Sequence, residues 1–151
     1  MDRPLPLLIV PFIAACVTPL PAGAPEFAQR PAPREGQNEI ELLVGISGTL
    51  AIRDDCLGAE LQYSDGDRFV MLVWPSSAQL VRDGNSWLVR NASNGESIRV
   101  GQELTGGGGF WGDQDKESLK RTNRYLTRKL SMNCAQFGTF SLNRDFSRSE
   151  R

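Results

Sequence analysis

The sequence contains no histidine. Histidine is the general base of Ser-His-Asp and Cys-His hydrolases and a common zinc ligand, so its absence excludes these hydrolases and the common zinc sites. The three cysteines show no C-x-x-C spacing, which argues against a dithiol redox centre. No apolar run approaches the roughly 20 residues of a membrane-spanning helix.

The longest apolar stretch, residues 5–15, lies near the N-terminus, follows Arg3 and ends in Ile13-Ala14-Ala15-Cys16. This stretch resembles the signal segment and lipobox of bacterial lipoproteins, and we predict a signal peptide over residues 1–15 with Cys16 as the lipidated residue. The resemblance implies a cell-envelope protein anchored by a lipid chain such as palmitate, with the outer membrane favoured because Val17 is not aspartate. The alternatives are an ordinary secretory signal cut after Ala24 and a cytosolic protein with an apolar N-terminus.

The next segment, residues 16–38, is rich in proline and shows no apolar periodicity. Its composition predicts an extended tether that buries no core. At about 3.1 Å per residue, such a tether would hold a domain tens of ångströms from a membrane. The predicted folded domain covers residues 39–142, and residues 143–151 are expected to form a flexible tail.

Cys56 and Cys134 lie near opposite ends of this predicted domain. In an oxidising compartment, two remaining cysteines are most simply a structural disulfide. Two buried free thiols and a redox-active pair are the alternatives.

Alternating apolar residues and turn signals predict strands at short intervals. Ile46, Gly48, Leu50 and Ile52 share one face of a strand, and the apolar run 69–74 before Pro75 predicts a central buried strand. Asp83-Gly84 predicts a hairpin turn, and residues 137–142 a closing strand. With one helix expected at about 114–130, the fold class is mainly β: a small OB-like antiparallel barrel or sandwich.

Several short motifs follow one another in an order that resembles that of a recurring bacterial secreted domain. They are Gly48-Thr49-Leu50, Cys56-Leu57, Leu72-Val73-Trp74-Pro75, Val100-Gly101, Gly106-Gly107-Gly108 and Cys134. The resemblance implies a Cys56–Cys134 bridge in a small β-barrel and supplies no catalytic residue. This chain differs by a longer, basic helical segment between the glycines and Cys134.

All three lysines fall in the expected helix. Lys116, Lys120, Arg124 and Arg128 recur every four residues, which places them on one helix face, with Arg121 beside them. Such a stripe is a candidate site for an anionic envelope polymer, lipid headgroups or another envelope protein. The alternative is a solvated face that keeps the helix soluble. No reader motif points to nucleic acid, and no such partner is expected.

The segment Gly107–Gly112 formally matches G-x-G-x-x-G but lacks the βαβ context of a dinucleotide site, so we interpret it as a turn or bulge. Phe110 and Trp111 on this segment are candidates for ring stacking or for capping one end of the barrel. Three pairs of aspartates, Asp54 with Asp55, Asp65 with Asp67 and Asp113 with Asp115, are best explained by turn formation.

These features predict a non-catalytic binding or accessory module of the cell envelope, with no cofactor and no metal site. The alternative is a hydrolase of cell-wall carbohydrate that uses two carboxylates.

Overall fold

The computed structural model describes residues 17–38, 41–112 and 115–150. Strands make up 47% of the chain and helices 9%, so the predicted mainly β class is confirmed. The predicted signal segment, Cys16 and Asp113 lie outside the described residues. In chain order the strands are β1 (Ala28–Gln29), β2 (Val44–Arg53), β3 (Cys56–Tyr63), β4 (Gly66–Trp74), β5 (Ala78–Asp83), β6 (Ser86–Asn91), β7 (Ser97–Arg99), β8 (Glu103–Trp111), β9 (Thr139–Leu142) and β10 (Ser147–Arg148). The helices are α1 (Lys116–Asn123) and α2 (Met132–Ala135).

Five of these strands close into a barrel. Strands β2, β3 and β4 form an antiparallel meander, and β8 returns to pair with β2. The spatial order β8-β2-β3-β4 is that of a Greek key. Strand β9 then closes the circle, antiparallel to β8 and parallel to β4. A five-stranded Greek-key barrel is the arrangement of OB-like folds, as the sequence predicts.

Strand β4 is buried on both faces because it separates two cores. Val70, Leu72 and Trp74 point into the barrel, where they pack with inward residues such as Leu50 of β2. The intervening residues Phe69, Met71 and Val73 belong to a second core outside the barrel. This alternation explains the unbroken apolar run and confirms the predicted central buried strand.

A three-stranded antiparallel sheet, β5-β6-β7, lies between β4 and β8 in sequence. Its side chains Leu80, Val89 and Ile98 join the barrel core. The predicted hairpin is present, and the two residues of its loop are Gly84 and Asn85, with Asp83 paired to Ser86.

The glycine-rich segment does not form the predicted turn or bulge. Gly106–Gly109 lie inside the regular strand β8, which pairs with β2 on one side and β9 on the other. A Cβ atom at Gly108 would stand 2.1 Å from the carbonyl oxygen of Ser141. Gly109 is covered by the side chain of Leu42. The glycines therefore allow close approach of neighbouring chain segments rather than flexibility.

Residues 24–30 of the proline-rich segment are not an extended tether, whereas residues 31–38 are exposed. Strand β1 pairs in parallel with the end of β4, and Phe27 and Ala28 are fully buried. The backbone of Glu26 exchanges hydrogen bonds with Asp55 and Leu57. The prediction from composition is wrong for these residues because β1 is ordered by pairing with a distant strand, and a local sequence pattern does not reveal such pairing.

The expected flexible tail also belongs to the fold. Phe146 is completely buried and packs edge-to-face on Trp74. Asn91 donates from its side-chain amide to the carbonyls of Arg144 and Phe146 at 2.9 Å, and β10 pairs with β8.

The helix is shorter than the predicted span of 114–130. It begins at Lys116, after the N-cap residue Asp115, and ends at Asn123. The side-chain amide of Asn123 bonds both backbone groups of Leu130, each at 2.8 Å, which turns the chain out of the helix. Leu126 and Leu130 are buried in the second core from this irregular segment.

The predicted disulfide between Cys56 and Cys134 is present, with Cα atoms 5.5 Å apart. It joins the start of β3 to α2. The bridge therefore fastens the long β8–β9 connection, residues 112–138, to the barrel wall, and both cysteines are buried in the second core.

Candidate functional site

A groove of about 750 Å³ separates the loop after β1 from one face of α1. Three arginines and two large aromatic residues line it: Arg30, Arg34, Arg121, Trp111 and Tyr125. Its remaining described lining residues are Pro31, Ala32, Pro33, Gln37, Asn38, Ser118, Thr122 and Leu126. Among the described residues, no carboxylate lines this arginine groove.

Helix α1 places its groove side chains by its period. Ser118, Arg121 and Thr122 follow the spacing i, i+3 and i+4, which brings them to one face, and Tyr125 lies in the turn after the helix, where its backbone N–H donates to the carbonyl oxygen of Thr122. Arg121 donates from Nη2 to Ser118 Oγ at 3.2 Å. Leu119 is buried in the second core. This wall of the groove therefore carries the guanidinium and two hydroxyls of the helix together with the phenol of Tyr125.

The N-terminus of α1 is fixed by Asp115. Its carboxylate accepts a hydrogen bond from the backbone N–H of Ser118 at 2.7 Å. This bond, together with the Ser118 hydroxyl and the charge of Arg121, lowers the pKa of Asp115 below 3.8. The cap therefore acts through an ionised carboxylate at neutral pH, a favourable charge for the positive end of a helix.

The opposite wall of the groove follows strand β1. Arg30 is half-buried, and its Nη2 donates to the carbonyl oxygen of Leu142 at 2.6 Å. Pro31 and Pro33 then hold the chain extended as far as the exposed Arg34. The side chain of Gln29 is buried and hydrogen-bonded to Pro75, Ala78 and Arg128, so the next residue, Arg30, is held beside the groove.

The predicted stacking residues occupy different places. Neighbouring residues of a strand point to opposite faces. Phe110 packs edge-to-face on Phe140 of the barrel core, with ring centroids 4.9 Å apart, and remains 52% exposed. Trp111 packs against the second core and lines the arginine groove. Phe110 thus covers one end of the barrel, and only Trp111 meets the basic residues.

The predicted basic stripe is not a single helix face. Lys116 and Lys120 are exposed on α1, while Arg124 follows its last residue and is also exposed. Arg128 lies beyond the helix, where it donates to Gln29 Oε1 and to the carbonyl oxygen of Thr18. Burial lowers the pKa of Arg128, but its guanidinium remains charged at neutral pH.

Among the residues of the aspartate pairs, Asp54, Asp55 and Asp65 lie in turns, as predicted, and Asp115 is the N-cap of α1. Asp54 and Asp55 both have positive φ angles, 49° and 62°, in the two-residue connection from β2 to β3. Asp65 forms an ion pair with Arg68 at 2.5 Å. Asp67 directly precedes Arg68 and lies in strand β4. Within residues 17–38, 41–112 and 115–150, no cluster of three acidic or cysteine side chains has the arrangement of a metal site.

Three groove residues were not predicted from the sequence. Arg30 and Arg34 lie in the segment predicted to be a tether, and Tyr125, which is 76% exposed, follows the end of α1. The spacing of Ser118, Arg121 and Thr122 carried a signal for a shared helix face. No sequence pattern indicated that Arg30 and Arg34 belong to the same site, because only the docking of β1 brings them near α1.

Two further grooves flank the N-terminal segment. One of about 580 Å³ contains Asp54 and Asp55 together with Arg128 and Lys129, so its charges are mixed. The other, also about 580 Å³, lies between Val17–Pro21 and strand β5. The arginine groove differs from both by combining several cations with the exposed ring of Tyr125 and the partly buried ring of Trp111.

No protein-family model, no curated protein and no solved structure matches this chain, so its resemblance to a recurring secreted domain stays a prediction. None of the helices in the described part of the chain is both long enough and apolar enough to cross a bilayer.

Proposed function

We propose that this protein is a non-catalytic binding module of the bacterial cell envelope and that the arginine groove receives an anionic saccharide segment of an envelope polymer. The observation that carries the proposal is the meeting of Arg30, Arg34 and Arg121 with Trp111 and Tyr125 around one concavity. Guanidinium groups recognise phosphate and carboxylate by paired hydrogen bonds. Exposed aromatic rings offer apolar faces to the C–H side of sugar rings.

The dimensions and composition of the groove support a binding role. Its volume of about 750 Å³ lies within the range of roughly 300–1,000 Å³ that is typical of small-ligand sites. A two-carboxylate hydrolase needs paired acids about 5–10 Å apart beside its substrate. The described lining of this groove contributes cations, amides and hydroxyls instead, which are groups that hold a ligand without cleaving it.

The envelope location rests on the sequence. The segment ending at Cys16 resembles a lipobox, and a disulfide such as Cys56–Cys134 persists in oxidising compartments. A diacylated cysteine gives stable anchoring, at about 0.8 kcal/mol per buried methylene. We expect Cys16→Ala to leave the precursor without acyl chains and to release the protein from the membrane fraction. Membrane retention equal to that of the unaltered chain would contradict the anchor.

Binding can be tested with a phosphorylated core oligosaccharide from lipopolysaccharide, titrated calorimetrically, with neutral dextran fragments as the comparison ligand. We expect the double variant Arg34→Gln and Arg121→Gln to weaken binding about 10-fold or more, because charged hydrogen bonds contribute about 1.5–3 kcal/mol each. The matched control is Lys116→Gln with Lys120→Gln, which removes the same charge from the exposed side of α1. Binding of dextran with equal affinity, or an equal loss in both double variants, would contradict a specific groove.

A second pair of variants tests the aromatic contribution. Tyr125→Leu keeps an apolar side chain at the groove and removes the ring, whereas Tyr63→Leu makes the same change on an exposed residue of β3, outside the groove lining. We expect only Tyr125→Leu to lower affinity for the oligosaccharide. Unchanged affinity would show that the phosphates alone are recognised.

A further inference from the structure

The chain directly after Cys16 is held against the domain. The carbonyl oxygen of Thr18 accepts a hydrogen bond from Nη2 of Arg128, and Leu20 packs against the barrel core. Nη1 of Arg82 lies 3.4 Å from the carbonyl oxygen of Ala22. Pro25 and Phe27 are then buried. Contacts to the domain are therefore present from residue 18 onwards.

This docking limits how far a lipid on Cys16 can lie from the protein surface. Only Val17 separates Cys16 from Thr18. A chain advances at most about 3.6 Å per residue, so the Cα atoms of Cys16 and Thr18 lie within about 7 Å of each other. A tether of tens of ångströms is therefore not available between the anchor and the folded domain.

We propose that the side of the domain beside the docked N-terminus lies directly on the membrane surface, in contact with phospholipid headgroups. This inference rests on the proposed lipid anchor at Cys16. We name this side the anchor-side face and define it by Val17, Pro19, Gln79, Val81 and Arg82. Four of these residues line the groove between Val17–Pro21 and β5, and the side chain of Arg82 joins them through its contact with the carbonyl oxygen of Ala22.

The chemistry of the anchor-side face suits a headgroup region. Val17 is 50% exposed, and Pro19 and Gln79 are also exposed, so the face offers apolar and uncharged polar groups together. The cation of Arg82 lies over the ring of Trp87, 5.5 Å from its centroid, a pairing of an amphipathic ring and a cation that fits a membrane interface. Asp54 and Asp55 lie in the neighbouring groove with Lys129, beside this face.

The opposite end of the barrel supplies a control position. Strand β3 leads away from Cys56, next to the docked Glu26, and ends at Tyr63. At about 3.3 Å per residue, this strand carries Tyr63 roughly 23 Å from Cys56, and Ser64 follows Tyr63 directly. Ser64 is exposed in the turn before β4.

The test uses the full chain, purified from membranes in its acylated form and reconstituted in phosphatidylethanolamine–phosphatidylglycerol vesicles. Gln79→Cys and Ser64→Cys are labelled separately with a nitroxide, because the native cysteines are blocked by acylation or by the disulfide. We expect the label at position 79 to lose accessibility to a water-soluble nickel chelate and the label at position 64 to keep it. Full water accessibility at position 79 would overturn the orientation.

Arg128→Ala tests whether docking causes the orientation. This variant removes the bonds from Arg128 to Thr18 and to Gln29, both in the docked N-terminal segment, and Arg124→Ala is the matched control because Arg124 is exposed close by on the same segment. We expect only Arg128→Ala to restore nickel accessibility at position 79 while the protein stays in the membrane. Retained protection in Arg128→Ala would contradict the inference.

Mass spectrometry of the same preparation separates the two proposals. An unacylated Cys16 would refute the anchor, and the orientation with it. An acylated Cys16 with position 79 in water would refute the orientation alone.

Discussion

Gln29 and Arg128 form a side-chain hydrogen bond of 3.1 Å that joins the N-terminal segment to the β8–β9 connection. Gln29 also donates from Nε2 to the carbonyl oxygens of Pro75 and Ala78, at 3.0 and 2.8 Å. Its side chain thus satisfies polar groups from two separate parts of the chain while Gln29 itself is buried. These bonds act together with the backbone pairing of β1 to hold one wall of the arginine groove.

Gln29→Leu is expected to destabilise the protein by about 2–4 kcal/mol, because buried acceptors and a guanidinium would lose their partners. Urea unfolding measures the change through its midpoint. Gln79→Leu is the control, since Gln79 is exposed on β5. Equal midpoints for the two variants would show that the Gln29 hydrogen bonds contribute nothing net.

Gly108→Ala is expected to destabilise the barrel by on the order of 3 kcal/mol, because overpacked cores adjust poorly. The added methyl group would meet the backbone oxygen of Ser141 and the ring of Phe140, at 2.1 and 2.4 Å, where β8 pairs with β9. Gly45→Ala is the matched control in β2, with no atom within 4 Å of the added carbon. Thermal melts of both variants test this, and a Gly108→Ala melt like that of Gly45→Ala would contradict the packing argument.

Removing the disulfide by Cys56→Ala with Cys134→Ala is expected to lower stability by about 4 kcal/mol, because the bridge closes a long loop in the unfolded chain. The bonded cysteines are 78 residues apart in sequence. Reducing agent should lower the melting temperature of the unaltered protein and leave that of the double variant unchanged. A melt of the unaltered protein that does not respond to reductant would argue against this contribution.

The Asp115 cap is expected to weaken in acid. The hydrogen bond from the Ser118 backbone lowers the folded-state pKa of Asp115 below its unfolded value of 3.8. Its contribution is therefore complete above pH 3.8 and is lost as the pH falls through the folded-state pKa. Hydrogen exchange of the α1 amides between pH 5 and pH 2 measures this loss relative to the β3 amides. Asp115→Asn keeps a capping oxygen but does not titrate, so its α1 amides should lack this additional change.

Much of the barrel could be predicted because its signals are local. The run 69–74 alternates between two cores, so it is apolar at every position, and Asp83-Gly84 marks a hairpin by its own backbone preferences. The disulfide could be predicted because Cys16 was the predicted lipidation site, which left only Cys56 and Cys134 to pair in an oxidising compartment. Each of these inferences needs only neighbouring residues or a simple count.

The candidate site could be predicted only in part because its walls come from distant segments. Trp111 and Arg121 were both candidates, but nothing in the sequence placed Arg34 opposite them. The helix ended early because Asn123 bonds the backbone of Leu130, a contact between segments that helical periodicity cannot show. Proline content suggested a tether, whereas parallel pairing with β4 ordered the same residues.

The closing strand β9 has a consequence for how the protein forms during synthesis. Thr139–Leu142 pairs with β4 and β8, and the fully buried Phe146 follows it. Contacts so distant in sequence form late, since the intervening chain must first be brought together. A nascent chain still lacking these residues has an open seam between β4 and β8, so the finished barrel can assemble only after the ribosome has made the chain at least as far as Phe146.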